Sequence, residues 1–483
     1  MRENEISSFR IMKYSLTFFL FFFVITQFLG CNTDDIKDAI EEEFVDFAEP
    51  LDETTSKPSD PARVLPPNPT GCPNWEKNIL NRVTESLTLP EGCKYDRVRI
   101  LIENESDLTL DCNGAELNGL DKEFRQAVGV PYSASDAPSD IGIRILSLET
   151  IPSGNVTVKN CVITNFLTGI SVQTVFIDET IADLKNNINA EVVEDHLRNS
   201  SLKNVRLENN IINYSHRNGL FINRYITGLV VDNTTIKYTS GAGLYLESGS
   251  QSNIIQNSVI SENGHSIYDS GERVRKRILE KDAREGIAID SSAMNTIQNN
   301  TFAKNSGGGI FLYKNCYEYH TSPTSLPRYQ SANNNVITGN KFEDQRVGVW
   351  IASRQSKDLE AFNCGIPKIA TDTVRYGPVE EDIFIYEDFA KFNNVNSNTF
   401  IDVIKGIIVE DDNNTINGNK FSGDVDYDVQ IGTKYRTEAL SKPVTDTKIT
   451  NNEFNSSASE HVRVIYDSVN TVITGNIPAT VNN

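Results

Sequence analysis

A short motif recurs along most of the chain and limits its fold more than any other feature. In each copy an Asn is followed two or three residues later by Ile or Phe, and a Gly-apolar-x-apolar string comes after a turn. The spacing is 24 residues from Ile212 to Ile236 and from Ile236 to Ile260, and 21 residues from Phe400 to Phe421. Such a period, with short β-type strings and Asn at the turns, is typical of a β-solenoid. The leucine-rich-repeat consensus is absent, so the sequence predicts an all-β fold, a right-handed parallel β-helix.

Four long insertions interrupt the repeat, at residues 178–203, 262–284, 313–334 and 353–392. Three follow the Gly-x-x-x strand and one precedes it, so we expect all of them to rise around one sheet and to form the walls of a groove. Long loops in a regular scaffold are usually functional. Within residues 178–203 the apolar positions have helical spacing.

The N-terminal 70 residues are expected to contain a targeting signal followed by a tether. Basic residues precede the apolar run 16–28, and Gly30 and Cys31 end a string that resembles a bacterial lipobox, although Phe28 stands where Leu is usual. We therefore predict a lipoprotein signal peptide over 1–30, lipidation at Cys31 and anchoring at a membrane. An ordinary secretory signal is the alternative. Residues 31–70 are predicted to be an acidic, Pro-rich tether, and residues 71–483 the β-helix catalytic domain of a surface-exposed outer-membrane lipoprotein.

The charge balance excludes one class of partner. With 45 Lys and Arg against 66 Asp and Glu, the net charge is −21, which argues against a nucleic-acid partner. Residues 32–63 alone carry a net charge of −8.

The remaining cysteines lie in the part of the chain that we expect in an oxidising compartment. Cys72 and Cys93 are predicted to clamp the N-terminal cap, and Cys112 and Cys161 to be stacked core thiols at similar places in two repeats. Cys316 and Cys364 are expected to staple two insertions. None has the spacing of a zinc site.

An outward column of side chains follows from the repeat. Position +2 after each Gly points away from the core, and it holds Phe221, Tyr245, Phe311 and Trp350 among others. Exposed aromatic residues in a groove suit sugar stacking; the alternative is that they pack under the loops.

A basic stripe is predicted on the same sheet of this acidic protein. Arg217, Arg284 and Arg346 stand two positions before the Gly on alternate rungs, about 10 Å apart. The planar guanidinium suits carboxylate or sulfate, so we expect an acidic oligosaccharide as partner. Ordinary Arg–Glu pairing is the alternative. Further candidate ligand-binding residues in the groove are Arg224, Asn315 and Arg354.

The strings at Leu110–Leu117, Arg284–Asp290, Gly309–Cys316 and Gly348–Arg354 carry a family resemblance. The chain resembles the pectate-lyase-like superfamily of β-helix polysaccharide enzymes over about residues 90–480. The last three strings are most similar to a branch that processes ulvan, an algal polymer of sulfated rhamnose and uronic acid. This resemblance implies a lyase, hydrolase or epimerase that acts on an acidic glycan, with dehydration of unsaturated oligosaccharides among the activities of the ulvan branch.

Elimination beside a uronic carboxylate needs a base, an acid for the leaving oxygen and a cation for the developing enolate. Lys314 is the candidate base. Tyr225 or Tyr245 is the candidate acid, or the base if Lys314 only holds charge. Arg224, Arg284 or Arg354 is expected to grip the carboxylate, and His216 and His265 are other candidate bases.

Three alternatives stay open. Glu247 and Asp290 occupy the same position in two neighbouring rungs, so their side chains are expected roughly 5 Å apart. This separation suits a retaining glycoside hydrolase. C5-epimerisation of an acidic polysaccharide and non-catalytic glycan binding at the cell surface are the other two. The sequence requires no cofactor, although the oxygens of Glu410, Asp411 and Asp412 suit calcium.

Overall fold

The computed structural model describes residues 65, 67–120, 140–151, 153–186, 189–264, 267–269, 272–274, 283–314, 326–352, 355–356, 368–376, 379–387, 390–432, 442–465 and 467–478. The predicted signal peptide with Cys31, almost all of the tether, and the candidates His265, Asn315, Cys316, Arg354 and Cys364 lie outside these residues.

The chain folds into a right-handed parallel β-helix, as the repeat predicts. Each rung passes through three faces in the order A, B, C, and equivalent strands of successive rungs pair in parallel. Face A is a 12-stranded sheet. Its strands are Leu87–Thr88, Thr109–Asp111, Thr157–Lys159, Arg206–Glu208, Val230–Asp232, Ile254–Gln256, Thr296–Gln298, Val336–Thr338, Asn394–Asn396, Thr415–Asn417, Lys448–Thr450 and Val472–Thr474.

Faces B and C form one 21-stranded sheet because two long strands, Lys341–Ile351 and Thr399–Val409, run through both faces. The other strands of face B are Lys94–Asp96, Glu116–Asn118, Val162–Thr164, Ile211–Asn213, Thr235–Lys237, Val259–Ser261, Thr301–Ala303, Lys420–Gly423 and Glu453–Ser456. The other strands of face C are Leu80–Arg82, Arg99–Glu103, Ile141–Leu148, Thr168–Val175, Leu220–Ile222, Leu244–Leu246, Glu285–Asp290, Gly308–Tyr313, Tyr427–Ile431 and Val462–Val464.

The interior consists of columns in which like side chains stack. The rings of Phe302, Phe342, Phe400 and Phe421 stack at centroid distances of 4.9, 4.8 and 4.7 Å. Four glycines of face C, Gly286, Gly309, Gly348 and Gly406, lie directly against this column and the next rung. A Cβ at Gly348, for example, would lie 2.4 Å from the Phe400 ring and 2.5 Å from the Gly406 carbonyl oxygen. Glycine is therefore required where the backbone, as it turns from face B into face C, comes this close to the core side chains and to the next rung.

Two disulfides join rungs near the N-terminus. Cys72 and Cys93 are bonded, which confirms the predicted clamp. The prediction for Cys112 and Cys161 was wrong, because they form a second disulfide rather than a pair of stacked thiols. Their Cα atoms are 4.8 Å apart on adjacent rungs, close enough for a bond between cysteines whose positions the repeat aligns.

The described parts of the insertions hold local structure of their own. Residues 178–203 contain helices α1 (Asp178–Lys185) and α2 (Ala190–Ser200), which confirms the helical spacing there. A hairpin pairs Ile267–Asp269 with Glu272–Val274. A three-stranded antiparallel sheet contains Gln355–Ser356, Lys368–Tyr376 and Val379–Glu387. No helix among the described residues is long and apolar enough to cross a membrane.

Candidate functional site

The candidate site lies where the strands of face C end and three of the insertions begin. Strand pairing aligns Phe221, Tyr245, Ala288, Phe311 and Trp350 directly, one per rung. The register of the predicted outward column is therefore confirmed. We call the ends of these strands the carboxyl edge of face C.

The aromatic column is only partly open to solvent. Phe311 is 7% exposed and belongs to an apolar cluster with Ala288 and Tyr313, while Phe221, Tyr245 and Trp350 are half-buried. The rings of Phe311 and Trp350 meet edge to face at 5.2 Å. The prediction that the aromatic side chains are exposed was therefore wrong for Phe311, which is buried in this apolar cluster. Phe221, Tyr245 and Trp350 each keep part of their surface exposed among the described residues.

A buried ion cluster occupies the carboxyl edge beside this column. Its members are Glu247, Asp290 and Arg328, whose side chains are 10%, 0% and 6% exposed. Arg328 Nη2 lies 3.1 Å from Glu247 Oε1, and Arg328 Nη1 bonds to Asp290 Oδ2. One guanidinium therefore bridges both carboxylates of the predicted pair.

Tyr245 connects the ion cluster to the aromatic column. Its hydroxyl donates to Asp290 Oδ2 at 2.6 Å, and the Ser291 hydroxyl donates to Asp290 Oδ1 at 3.1 Å. Burial raises the pKa of the Tyr245 hydroxyl well above its usual range, and the charge of Asp290 raises it further. Tyr245 is consequently a neutral proton donor, which favours the acid over the base among its two predicted roles.

Sequence reasoning missed Arg328 and Glu285. Arg328 comes from the insertion 313–334, where the repeat is interrupted, so no periodic position identifies it. Glu285 is buried and accepts a hydrogen bond from the Tyr313 hydroxyl at 2.9 Å. The position of Glu285, directly after Arg284 at the opening of a face-C strand, was a signal that a search for acids along face C would have found.

Lys314 and Tyr225 lie in buried surroundings beside the carboxyl edge. Lys314 is 1% exposed and its Nζ donates to the carbonyl oxygen of Tyr329 at 3.0 Å. Tyr225 is also 1% exposed, packs with Leu184 and Leu197 of the two helices, and donates to Glu194 Oε1 at 3.4 Å. These contacts favour structural roles for both residues over the predicted roles of base and acid.

Helix α2 and the segment 326–330 form the wall next to the ion cluster. Glu194 and Arg198 of α2 are 3.8 Å apart, and Arg198 donates to Gln330 Oε1 at 3.2 Å. Gln330 in turn donates to the carbonyl oxygens of Ser250 and Ser291. The segment that carries Arg328 is thus fixed on both sides.

The predicted arginines do not join the ion cluster. Arg217 and Arg284 are exposed and precede the face-C strands, whereas Glu247 and Asp290 stand at the strand ends. Arg284 and Asp290 are therefore separated by the length of a strand, roughly 20 Å. Arg224 lies nearer the carboxyl edge and is half-buried, and its Nε, like Trp350 Nε1, is a buried donor without a hydrogen-bond partner among the described residues.

The acidic run proposed for calcium is bonded within the protein. Asp411 accepts hydrogen bonds from the backbone N–H groups of Ala390 and Asp412, and Lys391 Nζ lies 3.1 Å from Asp412 Oδ2. In the described part of the chain, no group of three His, Cys, Asp or Glu side chains is arranged to hold a metal ion. His216 is buried, at 2% exposure.

The model of the family described as right handed beta helix region matches residues 150–356 and 266–440, which together span more than half of the chain. The chain belongs to this family. No curated protein sequence is significantly similar to it.

Three solved structures match the chain at low sequence identity. The Azotobacter vinelandii mannuronan C-5 epimerase AlgE6 A-module is 13% identical, with 83% of this chain and 89% of that chain covered and a TM-score of 0.42. The catalytic domain of GH87 alpha-1,3-glucanase in complex with nigerose is 11% identical over 83% of this chain and 64% of that chain, with a TM-score of 0.35. DFA-IIIase from Arthrobacter chlorophenolicus A6 in complex with GF2 is 11% identical over 78% of this chain and 77% of that chain, with a TM-score of 0.38.

Proposed function

We propose that this β-helix protein is a carbohydrate-active lyase that performs elimination or dehydration on uronic-acid-containing oligosaccharides of the ulvan type. The observation that carries the proposal is the arrangement at the carboxyl edge of face C. There a neutral tyrosine hydroxyl donates to one of two carboxylates that share one guanidinium.

The two carboxylates differ in their access to a substrate. The Asp290 side chain is fully buried and bonded to Tyr245, Ser291 and Arg328, whereas the Glu247 side chain is 10% exposed. We assign Glu247 as the base and Asp290 as the residue that orients Tyr245. Half-buried Phe221 and Trp350 offer stacking surfaces, and the Trp350 Nε1 donor suits a sugar hydroxyl.

These groups supply the base and the acid of the proposed step, and we assign Arg224, which lies nearer the carboxyl edge than Arg217 and Arg284, as the cation for the developing enolate. Glu247 takes the proton from the carbon beside the uronic carboxylate, and the electron pair of that C–H bond forms the new double bond. The C–O bond to the leaving oxygen breaks, and Tyr245 gives its proton to that oxygen. Arg328 offsets the negative charge left on Tyr245, and proton transfer back from Glu247 restores both groups.

Hydrolysis is the second candidate, because Glu247 and Asp290 follow adjacent strands at a separation of roughly 5 Å. A two-carboxylate hydrolase, however, needs one carboxyl group in its protonated form. Both carboxylates already accept from Arg328, and Asp290 accepts from the Tyr245 hydroxyl as well, so Tyr245 is the proton donor beside the pair, which favours elimination.

The test is the chemistry of the products. Purified protein is incubated with ulvan fragments, alginate and pectate, and absorbance of unsaturated uronate is followed together with product masses. Cleavage that gives an absorbing end without gain of water indicates a lyase, and loss of water without cleavage indicates a dehydratase. Cleavage with gain of one water would overturn the proposal in favour of hydrolysis. Altered sugar configuration at constant mass would indicate epimerisation, and binding without any product would indicate a glycan-binding protein.

We also propose that the protein is an outer-membrane lipoprotein anchored through Cys31, supported by the basic and apolar residues that precede Gly30 and Cys31. Incorporation of labelled palmitate into the wild-type chain but not into Cys31→Ser tests this. Equal labelling of the two would contradict it.

A further inference from the structure

We propose that Gln330 is a positioning residue of the site, which holds Arg328 between Glu247 and Asp290 and acts on the reaction through it. The inference deepens the proposed function and rests on it for the reaction whose rate Gln330 would set. Gln330 stands two positions after Arg328, in an insertion that interrupts the repeat, so the sequence pattern does not identify it. The hydrogen bonds of its side chain do.

The Gln330 amide bonds both of the rungs that carry the carboxylates. Its Nε2 donates to the Ser250 carbonyl oxygen at 2.9 Å and to the Ser291 carbonyl oxygen at 3.0 Å. Ser250 lies just beyond Glu247 on one rung. Ser291 comes directly after Asp290 on the adjacent rung. A primary amide has two N–H donors, so each of the two rungs receives one of them.

Helix α2 fixes the same amide from the other side. The Gln330 Oε1 accepts a hydrogen bond from Arg198 Nη1 at 3.2 Å. Because a guanidinium only donates and a backbone carbonyl only accepts, the amide oxygen must face α2 and the amide nitrogen must face the rungs. The Arg198 side chain is itself largely buried and pairs with Asp195 at 2.7 Å. Gln330 therefore links helix α2 to both rungs in one defined orientation.

This link reaches the ion cluster because Gln330 and Arg328 are close along the chain. Two extended residues span at most about 7 Å, so a shift of Gln330 moves the backbone that carries Arg328. The Arg328 guanidinium lies 3.1 Å from Glu247 on one rung and bonds Asp290 on the other. A planar donor that serves two acceptors requires a defined position, and a small displacement would favour one carboxylate over the other.

A displaced Arg328 would impair the proposed reaction at its proton donor. Asp290 Oδ2 accepts from both Arg328 and the Tyr245 hydroxyl. Burial and the charge of Asp290 raise the pKa of the Tyr245 hydroxyl, whereas Arg328 acts in the opposite direction. Moving the guanidinium away would leave Tyr245 a weaker acid and would offset less of the charge that forms on it. Gln330 should consequently affect turnover more than substrate affinity.

The experiment measures kcat and KM on ulvan oligosaccharides. Gln330→Met removes the amide at nearly constant length, and we expect kcat to fall about tenfold while KM changes at most about twofold. Gln330→Glu keeps an acceptor for Arg198 but loses both donors to the rungs, so it should lower kcat as much as Gln330→Met does. Wild-type kcat in either variant, with the protein folded by circular dichroism, would overturn the proposal.

A double-mutant cycle tests whether the effect passes through Arg328. Arg328→Lys keeps a cation but cannot bridge two carboxylates as a guanidinium does. Adding Gln330→Met to Arg328→Lys should therefore lower kcat at most about twofold further. A further loss of about tenfold would contradict the positioning role, because a residue that only stabilises the fold acts in both backgrounds.

Gln298→Met on face A is the matched control. The Gln298 Nε2 donates to Gln256 Oε1 of the adjacent rung at 2.8 Å, so the substitution also removes a hydrogen bond that a glutamine makes between rungs. We expect kcat to be unchanged in this variant. A loss of kcat equal to that in Gln330→Met would show that any such bond has the same effect, and the assignment to Gln330 would be wrong.

The two proposals can fail separately. A wild-type protein that converts none of the ulvan oligosaccharides contradicts the lyase alone. Urea denaturation then tests the coupling of the two residues, and Gln330→Met should lower the midpoint less in an Arg328→Met background than in the wild type. Equal midpoint shifts in the two backgrounds would contradict the role of Gln330, whatever the reaction.

Discussion

The turn between faces A and B and the carboxyl edge of face C both bury polar side chains, but they satisfy them in opposite ways. At the A–B turn, Asn300, Asn340, Asn398, Asn419 and Asn452 form a ladder in which each side chain donates to the next at 3.0 Å. An amide has both donors and acceptors, so identical residues satisfy one another on successive rungs. Carboxylates only accept and repel each other, so Glu247 and Asp290 require Arg328 from an insertion. The Asn ladder thus arises from the repeated sequence motif, whereas the ion cluster depends on an insertion that interrupts the repeat.

Tyr245→Phe tests whether the carboxyl edge supplies the proton donor. Loss of the proton donor is expected to lower turnover by about 10² to 10⁴, while loss of one hydrogen bond to Asp290 costs about 1 kcal/mol of stability. Steady-state kinetics and thermal melting measure the two effects. Tyr95→Phe in the N-terminal cap makes the same chemical change and should leave turnover intact. Equal turnover in Tyr245→Phe and wild type would remove Tyr245 from the mechanism.

Arg328→Met breaks the ion cluster and leaves two buried carboxylates without their cation. We expect a loss of about 3 to 5 kcal/mol in the free energy of unfolding. Urea denaturation measures this loss. The triple variant with Glu247→Gln and Asp290→Asn removes the unpaired charges and should recover most of the stability. If Arg328→Met is as stable as the wild type, the cluster is not the anchor of the segment 326–330.

Asn340→Ala breaks the ladder. It removes a buried amide that bonds Asn300, Asn398 and the Ile297 carbonyl oxygen, and we expect a loss of about 1 to 3 kcal/mol. Turnover per folded molecule should not change. Asn455→Ala, at an exposed position of the strand Glu453–Ser456, serves as the control in the same denaturation experiment. A larger effect on turnover than on stability would show that the two regions are not separate.

Glu194→Gln is expected to give the smallest effect, a change in how the free energy of unfolding depends on pH. Burial raises the pKa of the Glu194 carboxyl above its usual range, although Arg198 and Lys314 act in the opposite direction. The folded state then holds this proton more tightly, so the associated stability is present below the unfolded pKa of about 4.3 and is lost as pH rises through the folded pKa. The variant stays neutral and should gain about 1 kcal/mol or less relative to the wild type between pH 4 and pH 7. Denaturation curves at both pH values measure it, and a relative loss on raising the pH would contradict the assignment.

The sequence predicts the regular part of the molecule well because the repeat is local. A period of 21 to 24 residues defines the rungs. The Ile or Phe of each copy, such as Ile236 or Phe400, marks a position that points into the core. The outward register of Tyr245 and Trp350, and the rung-to-rung proximity of Glu247 and Asp290, follow from the same periodicity.

What the sequence did not reveal depends on contacts made by the insertions. Arg328 reaches Asp290 across 38 positions and has no counterpart in neighbouring repeats. Tyr225 and Lys314 stand near the predicted groove, but helix α2 and the segment 326–330 bury both. The Cys112–Cys161 disulfide was missed because alignment of two rungs does not distinguish stacked thiols from a bond.

The central claim, that the carboxyl edge of face C is catalytic, is tested most directly by the turnover of Glu247→Gln on ulvan-type oligosaccharides. Glu208→Gln on face A is assayed beside it as the matched charge control. In Glu247→Gln, turnover is expected to fall by about 10² to 10⁴, with retained binding and a folded protein by circular dichroism, while Glu208→Gln is expected to be unaffected. Turnover in Glu247→Gln within a few-fold of the wild type would contradict the central claim.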